Sequence, residues 1–129
     1  MRKRINGKVY YTGNAHEIAY WDNDTMPNDP KNIYRVLYKT KRGDCFMYQC
    51  AGAETEFAVF YKNTKMKIEN ETIIPLTENE AVRFLIEWGR PDMIKEYFPE
   101  KYKSIREMAE NKGNGIVTYN PPIGMLCLQ

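Results

Sequence analysis

Asn32-Ile33-Tyr34-Arg35-Val36-Leu37-Tyr38-Lys39-Thr40-Lys41-Arg42-Gly43-Asp44-Cys45-Phe46-Met47-Tyr48-Gln49-Cys50 is the stretch that decides the fold. Two runs rich in β-branched and aromatic residues flank a short basic turn, and Gly43 supplies the positive φ that such a turn needs, so the segment predicts a β-hairpin. Strand alternation places Tyr34, Val36 and Tyr38 on one face and Ile33, Arg35, Leu37 and Lys39 on the other. In the second strand Phe46 and Tyr48 oppose Cys45 and Met47. Both faces are largely apolar. A sheet with one wet face alternates more cleanly, so either helices cover both faces or one face is a platform for a partner.

Downstream of the hairpin, Ala51 to Glu56 reads as a turn and Phe57 to Tyr61 as a third strand or a short helix. Lys62 to Asn70 is basic and polar, and Thr72-Ile73-Ile74-Pro75-Leu76 is extended. Thr77-Glu78-Asn79-Glu80 has the form of a capping box, and Ala81, Phe84, Leu85 and Trp88 recur at helical spacing until Gly89 and Pro91 end the helix. Asp92 to Phe98 predicts another helix, and Pro99 opens a further one to about Glu110, with Tyr102, Ile105 and Met108 or Ala109 inward. Upstream, Lys8 to Tyr11 predicts a short strand after the Asn6-Gly7 turn. Thr12 is then positioned to cap a helix from Gly13 to about Trp21, with Ala15, Ile18 and Ala19 on its apolar side. Asp22 to Pro30 is a loop.

These elements give an α+β fold: a small antiparallel sheet of three to four strands around the hairpin, packed by three or four α-helices that lie mainly in the C-terminal half. The length of 129 residues and the 43% hydrophobic content fit one α+β domain over 1–112 and a C-terminal extension over 113–129, where Ile116 to Tyr119 is able to add an edge strand. No apolar run approaches the roughly 20 residues that span a bilayer, and Met1-Arg2-Lys3-Arg4 leads into Ile5-Asn6-Gly7 rather than an apolar signal segment. The expected location is the cytoplasm. Three cysteines, Cys45, Cys50 and Cys127, are an odd number without a Cys-x-x-Cys pair, which points to reduced thiols.

The net charge of +2 conceals an asymmetry, since residues 1–67 carry +5 and residues 68–129 carry −3. A patch of Arg2, Lys3, Arg4, Arg35, Lys39, Lys41 and Arg42 can meet phosphates or an acidic protein face. Tyr38 and Tyr48, if exposed, can stack on unpaired bases beside those cations. The plainer alternatives are a solvated charged surface and rings that are simply core.

Catalytic signals are thin. One histidine, His16, and one serine, Ser104, do not make a triad, and Ser104 sits among lysines on a helix surface. A pair of His16 with Cys45 or Cys50 is open on sequence, although structural thiols are commoner than reactive ones. Cys45 and Cys50 point to opposite faces of one strand, which argues against a shared zinc site. Asp22-x-Asp24 with Asp29 has a calcium-loop flavour, but Pro27 stands where an EF-hand needs glycine and Ile33 where it needs glutamate. Glu54, Glu56, Glu69 and Glu71 lack a spacing that would mark a metal-dependent nuclease. No catalytic residue, cofactor, metal or small-molecule substrate is assigned.

Three ordered blocks carry a resemblance: Ile5-Asn6-Gly7-Lys8-Val9-Tyr10 with Thr12 and Ala15, then Leu37 to Phe46, then Ile73-Ile74-Pro75-Leu76-Thr77-Glu78-Asn79-Glu80-Ala81. Over about residues 4–90 the chain resembles a family of small proteins encoded on phages, plasmids and integrative elements of Gram-positive bacteria. Some of those look like anti-CRISPR proteins that inhibit type II effectors through Cas9 or its guide RNA. The chain departs from the family in having Tyr10-Tyr11-Thr12-Gly13-Asn14-Ala15 and in lacking a Gly-rich segment before the Ile-Ile-Pro-Leu block. The resemblance implies a protein that binds Cas9 or guide RNA, without a membrane, and blocks guide loading or target-DNA engagement. A guide-RNA-cleaving or cleavage-triggering factor, and a non-inhibitory mobile-element protein with a protein- or RNA-binding role, are the alternatives.

Overall fold

The computed structural model describes residues 1–113, which fall into two compact units, Met1–Thr77 and a second beginning at Glu78. In the first, β1 (Arg2–Ile5) and β2 (Lys8–Tyr11) precede a 3-10 turn (Thr12–Asn14), β3 (His16–Asp22), β4 (Ile33–Lys39), β5 (Cys45–Ala51), β6 (Val59–Phe60), β7 (Lys67–Ile68) and β8 (Asn70–Leu76). The second holds α1 (Glu78–Glu87), α2 (Pro91–Tyr97) and α3 (Pro99–Gly113). The chain is thus α+β, with its helices in the C-terminal half. Ile116 to Tyr119, read as a further edge strand, lies outside the described residues.

The main sheet has the order β3-β4-β5-β8, and β1-β2 and β6-β7 are separate two-stranded ribbons. All pairs are antiparallel, so the predicted hairpin β4-β5 occupies the two central positions. Its register sets Tyr38 opposite Phe46 and Leu37 opposite Met47. Leu37, Phe46, Met47 and Val36 are buried. Residues directly across a ladder share a face, so the rows Tyr20-Val36-Tyr48-Ile73 and Glu17-Tyr38-Phe46-Pro75 lie on one side of the sheet.

Over part of that side lies a cluster of Tyr10, Phe46 and Ile73, with Ile5, Ala15 and Tyr38 packed against it. Tyr10 meets the Phe46 ring edge-on at 5.4 Å, and Tyr38 stacks on Phe46 at 5.1 Å. Both ring arrangements suit the aromatic quadrupole. The β1-β2 ribbon that delivers Tyr10 turns through Asn6 (φ 50°) and Gly7 (φ 81°), the pair of left-handed residues that a two-residue hairpin turn requires.

No helix forms over Gly13 to Trp21. That segment is the 3-10 turn followed by β3. The reason lies in a register shift between Glu17 and Ala19, which makes Ile18 and Ala19 consecutive buried residues. A bulge of this kind turns two successive side chains inward. The resulting Ala15, Ile18, Ala19 spacing imitates one face of a helix.

The loop that follows is closed by its own polar side chains. Asp22 Oδ1 accepts from the Asp24 amide at 2.8 Å, the Asn23 side chain accepts from the Ile33 amide and donates to Lys31 O, and Asn32 donates to Thr25. These bonds make it a capped loop, as its composition suggests.

In the second unit α1 buries Ala81, Val82, Leu85 and Ile86, a stripe one position away from the expected Phe84 and Trp88, which are half-buried and face each other with centroids 5.7 Å apart. Gly89, at φ 69°, ends the helix: its amide donates to Ile86 O and the Arg90 amide to Leu85 O, the paired bonds of a Schellman cap. Ile94, Phe98 and Ile105 are buried, whereas Met108 is exposed.

Candidate polyanion-binding surface

Alternation along the N-terminal ribbon decides where its cations go. With Arg2 opposite Tyr11, Lys3 opposite Tyr10, Arg4 opposite Val9 and Ile5 opposite Lys8, the side bearing Tyr10 and Ile5 turns to the aromatic cluster. Arg2, Arg4 and Tyr11 then share the outward side, and all three are exposed. Lys3 lies on the Tyr10 side yet is also exposed.

The β4-β5 turn is tight. The Gly43 amide donates to Thr40 O at 2.9 Å, the Thr40 amide to Asp44 O at 2.8 Å and the Asp44 amide to Thr40 Oγ1 at 3.0 Å, with Gly43 at φ 93°. Lys41 and Arg42 project from it, exposed. Lys8 Nζ lies 3.0 Å from Asp44 Oδ1 and so holds the Asn6-Gly7 turn beside the Lys41-Arg42 turn. The pair is exposed enough that its worth is about 0 to 1 kcal/mol. Its effect is positional: it sets the β1-β2 turn, with Arg4 exposed two residues before Asn6, beside the turn that carries Lys41 and Arg42.

The remaining residues singled out from sequence sit elsewhere. Arg35 and Lys39 occupy the face opposite Tyr38 and Tyr48. The Arg35 guanidinium lies 5.4 Å from the ring centroids of both Trp21 and Phe57, and its Nε donates to Gln49 Oε1 at 2.8 Å. Gln49 is buried. This cation links the sheet to the segment that enters β6. Lys39 is half-buried.

Tyr38 is the stacking partner of Phe46 within the core cluster, and burial followed by the nearby Glu17 carboxylate raises its pKa. Tyr48 is half-buried and donates to Glu71 Oε1 at 2.7 Å. Burial, then that hydrogen bond, pushes its phenol far above the ordinary range. A phosphate brought to Tyr48 would meet the Glu71 carboxylate first. Leu37 and Met47 are buried and Tyr38 and Tyr48 half-buried, so the β4-β5 hairpin contributes its cationic rim and not a flat aromatic platform.

Possible reaction chemistry gains little from the fold. Lys39 stands directly between His16 and Cys45 in register, which separates those two by two strand spacings, about 9 to 10 Å. Cys50 is on the other face, its thiol raised by burial, then by Glu71 and Glu69. Among the described residues no three His, Cys, Asp or Glu side chains gather as a metal site, and no helix is long and apolar enough to cross a membrane. A cleft of about 390 Å³ beside β7, lined by Asn32, Cys50, Lys67, Glu69 and Asp29 among others, carries mixed charge.

The surface that sequence reasoning passed over is the β6-β7 ribbon. Phe60 is 59% exposed and Tyr61 41%, beside Lys62, Lys65 and Lys67. The signal in the sequence is a run of aromatic residues followed by lysines without an intervening acid, which the break between a strand or helix ending at Tyr61 and a polar stretch from Lys62 divides in two.

No family model, curated protein or solved structure matches this chain.

Proposed function

We propose that this protein works in the bacterial cytoplasm by binding a type II CRISPR effector, Cas9, or its guide RNA, and that the basic end meets the polyanionic guide. Occupation of that site blocks guide loading or target-DNA engagement. The class of partner comes from the resemblance of the three ordered blocks to anti-CRISPR proteins. The observation that supports it is the exposed basic end, where the Lys8–Asp44 pair sets the β1-β2 turn beside the turn that carries Lys41 and Arg42, with Arg4 exposed on β1. Fixed cationic side chains compete for phosphates, and in such effectors protein contacts to the guide run through its backbone. Arg35 is left out of this surface because it is engaged with Gln49, Trp21 and Phe57.

The test is a pull-down of Cas9 with and without guide RNA, followed by a gel of the RNA. Capture with intact guide, lost on charge reversal at Arg4, Lys41 and Arg42 together, is the expected result. Undiminished capture by that variant at moderate salt, or a shortened guide on the gel, would falsify the reading.

A further inference from the structure

We infer that the β6-β7 ribbon is a stacking platform for unpaired nucleotides of single-stranded RNA. Between Ala58 and Ile68 the chain has three lysines and no acid. Register sets Val59 opposite Ile68 and Phe60 opposite Lys67, and the Tyr61 amide donates to Met66 O at 2.8 Å. Alternation therefore turns Phe60 and Tyr61 to opposite sides of the ribbon. Each ring carries its own ammonium: Lys67 Nζ is 5.9 Å from the Phe60 centroid and Lys62 Nζ 5.4 Å from that of Tyr61. A ring with a cation at its side is the unit that receives a base and its phosphate together.

The ribbon is shaped in advance. Thr64 closes the tip through its amide and hydroxyl, both donating to Tyr61 O, while its Oγ1 accepts from the Met66 amide at 3.2 Å. At the base, Asn70 donates to Phe57 O at 3.2 Å, and Arg35 lies over the Phe57 ring. An exposed ammonium over a ring contributes only about a two- to fivefold preference, whereas a stacked base contributes about five- to a hundredfold. The base displaces the lysine, and the freed ammonium meets the adjoining phosphate. Rings on opposite sides cannot both enter one bilayer surface, but a single strand crossing the ribbon edge reaches both. Paired bases present no free face to either ring.

This inference rests on the reading that the partner is a nucleic acid or carries one, and its test separates the two. Binding of the full chain to a short labelled oligouridine, to an RNA duplex of equal length and to phosphatidylcholine–phosphatidylserine vesicles is measured at moderate salt. The double variant Phe60→Leu/Tyr61→Leu keeps apolar side chains but removes both rings. It is expected to lose at least about tenfold in oligouridine affinity and to bind the duplex as the parent chain does. Lys62→Ala/Lys67→Ala leaves the rings intact and is expected to reduce the slope of log affinity against log salt by about 1.4, an independent check should the leucine variant not fold. Unchanged oligouridine affinity in the leucine variant, or vesicle binding stronger than oligouridine binding in the parent chain, overturns the platform. Charge reversal at Lys41 and Arg42 that spares oligouridine and duplex alike overturns the basic-end reading instead.

Discussion

Two hairpins in this chain, β4-β5 and β6-β7, combine aromatic and cationic residues, and the fold treats them in opposite ways. β4-β5 has a strand on each flank, and its rings become interior: Phe46 is fully buried and Tyr38 lies on it. Among the described residues β6-β7 has no flanking strand, and Phe60 and Tyr61 stay in solvent. Place in the sheet, not composition, decides whether such a ring stabilises the fold or offers itself to a partner.

The comparison breaks most readily on stability. Phe46→Ala removes a closely packed core ring and is expected to cost about 3 to 5 kcal/mol, whereas Phe60→Ala should stay within about 0.5 kcal/mol of the parent chain. Urea unfolding checks both. Equal losses at the two positions would show that the ribbon rings are part of the core after all. Next in size is Arg35→Ala, which leaves the buried Gln49 oxygen without this donor and unstacks two rings, an expected loss of about 1 to 3 kcal/mol. The double variant Lys41→Ala/Arg42→Ala should leave stability alone and lower RNA affinity. If Arg35→Ala keeps full stability and weakens RNA binding, its cation belongs with the partner surface.

The smallest effect is a pH dependence. Tyr48 in the folded chain ionises above the unfolded value of about 10, because of burial and then its bond to Glu71. A raised folded pKa favours the protonated phenol, so its contribution is complete below pH about 10 and declines as pH climbs through and beyond that value. Unfolding free energy should fall on the alkaline side, and Tyr48→Phe should flatten part of that fall. A Glu71→Gln variant should bring the Tyr48 transition down in an ultraviolet absorbance titration. An unmoved transition would mean that burial alone sets it.

Much of the architecture was legible because its signals are local. The central hairpin, the Ile73-Ile74-Pro75-Leu76 strand, the helix after Thr77 and the Gly89 stop all follow from alternation, turn chemistry and capping. β3 was not legible, since a bulge gave a strand the apolar spacing of a helix. The cationic tip was also readable, as exposed turn residues generally are. What separates Arg35 from Lys41 and Arg42 is cross-strand packing against Gln49, Trp21 and Phe57, and no spacing along the chain announces it. Tyr48 was misleading for the same reason: its partner Glu71 arrives from β8.

The β3 bulge has a second effect. Among the described residues the two outer strands of the order β3-β4-β5-β8 are β3 and β8, and an open strand edge is an invitation to another chain. On β3 the extra residue breaks the even row of amides and carbonyls, while β8 carries Glu71 and Pro75, a residue with no N–H to offer. Both borders of the sheet are thereby spoiled for further strand addition. These breaks disfavour edge-to-edge pairing between copies of the chain.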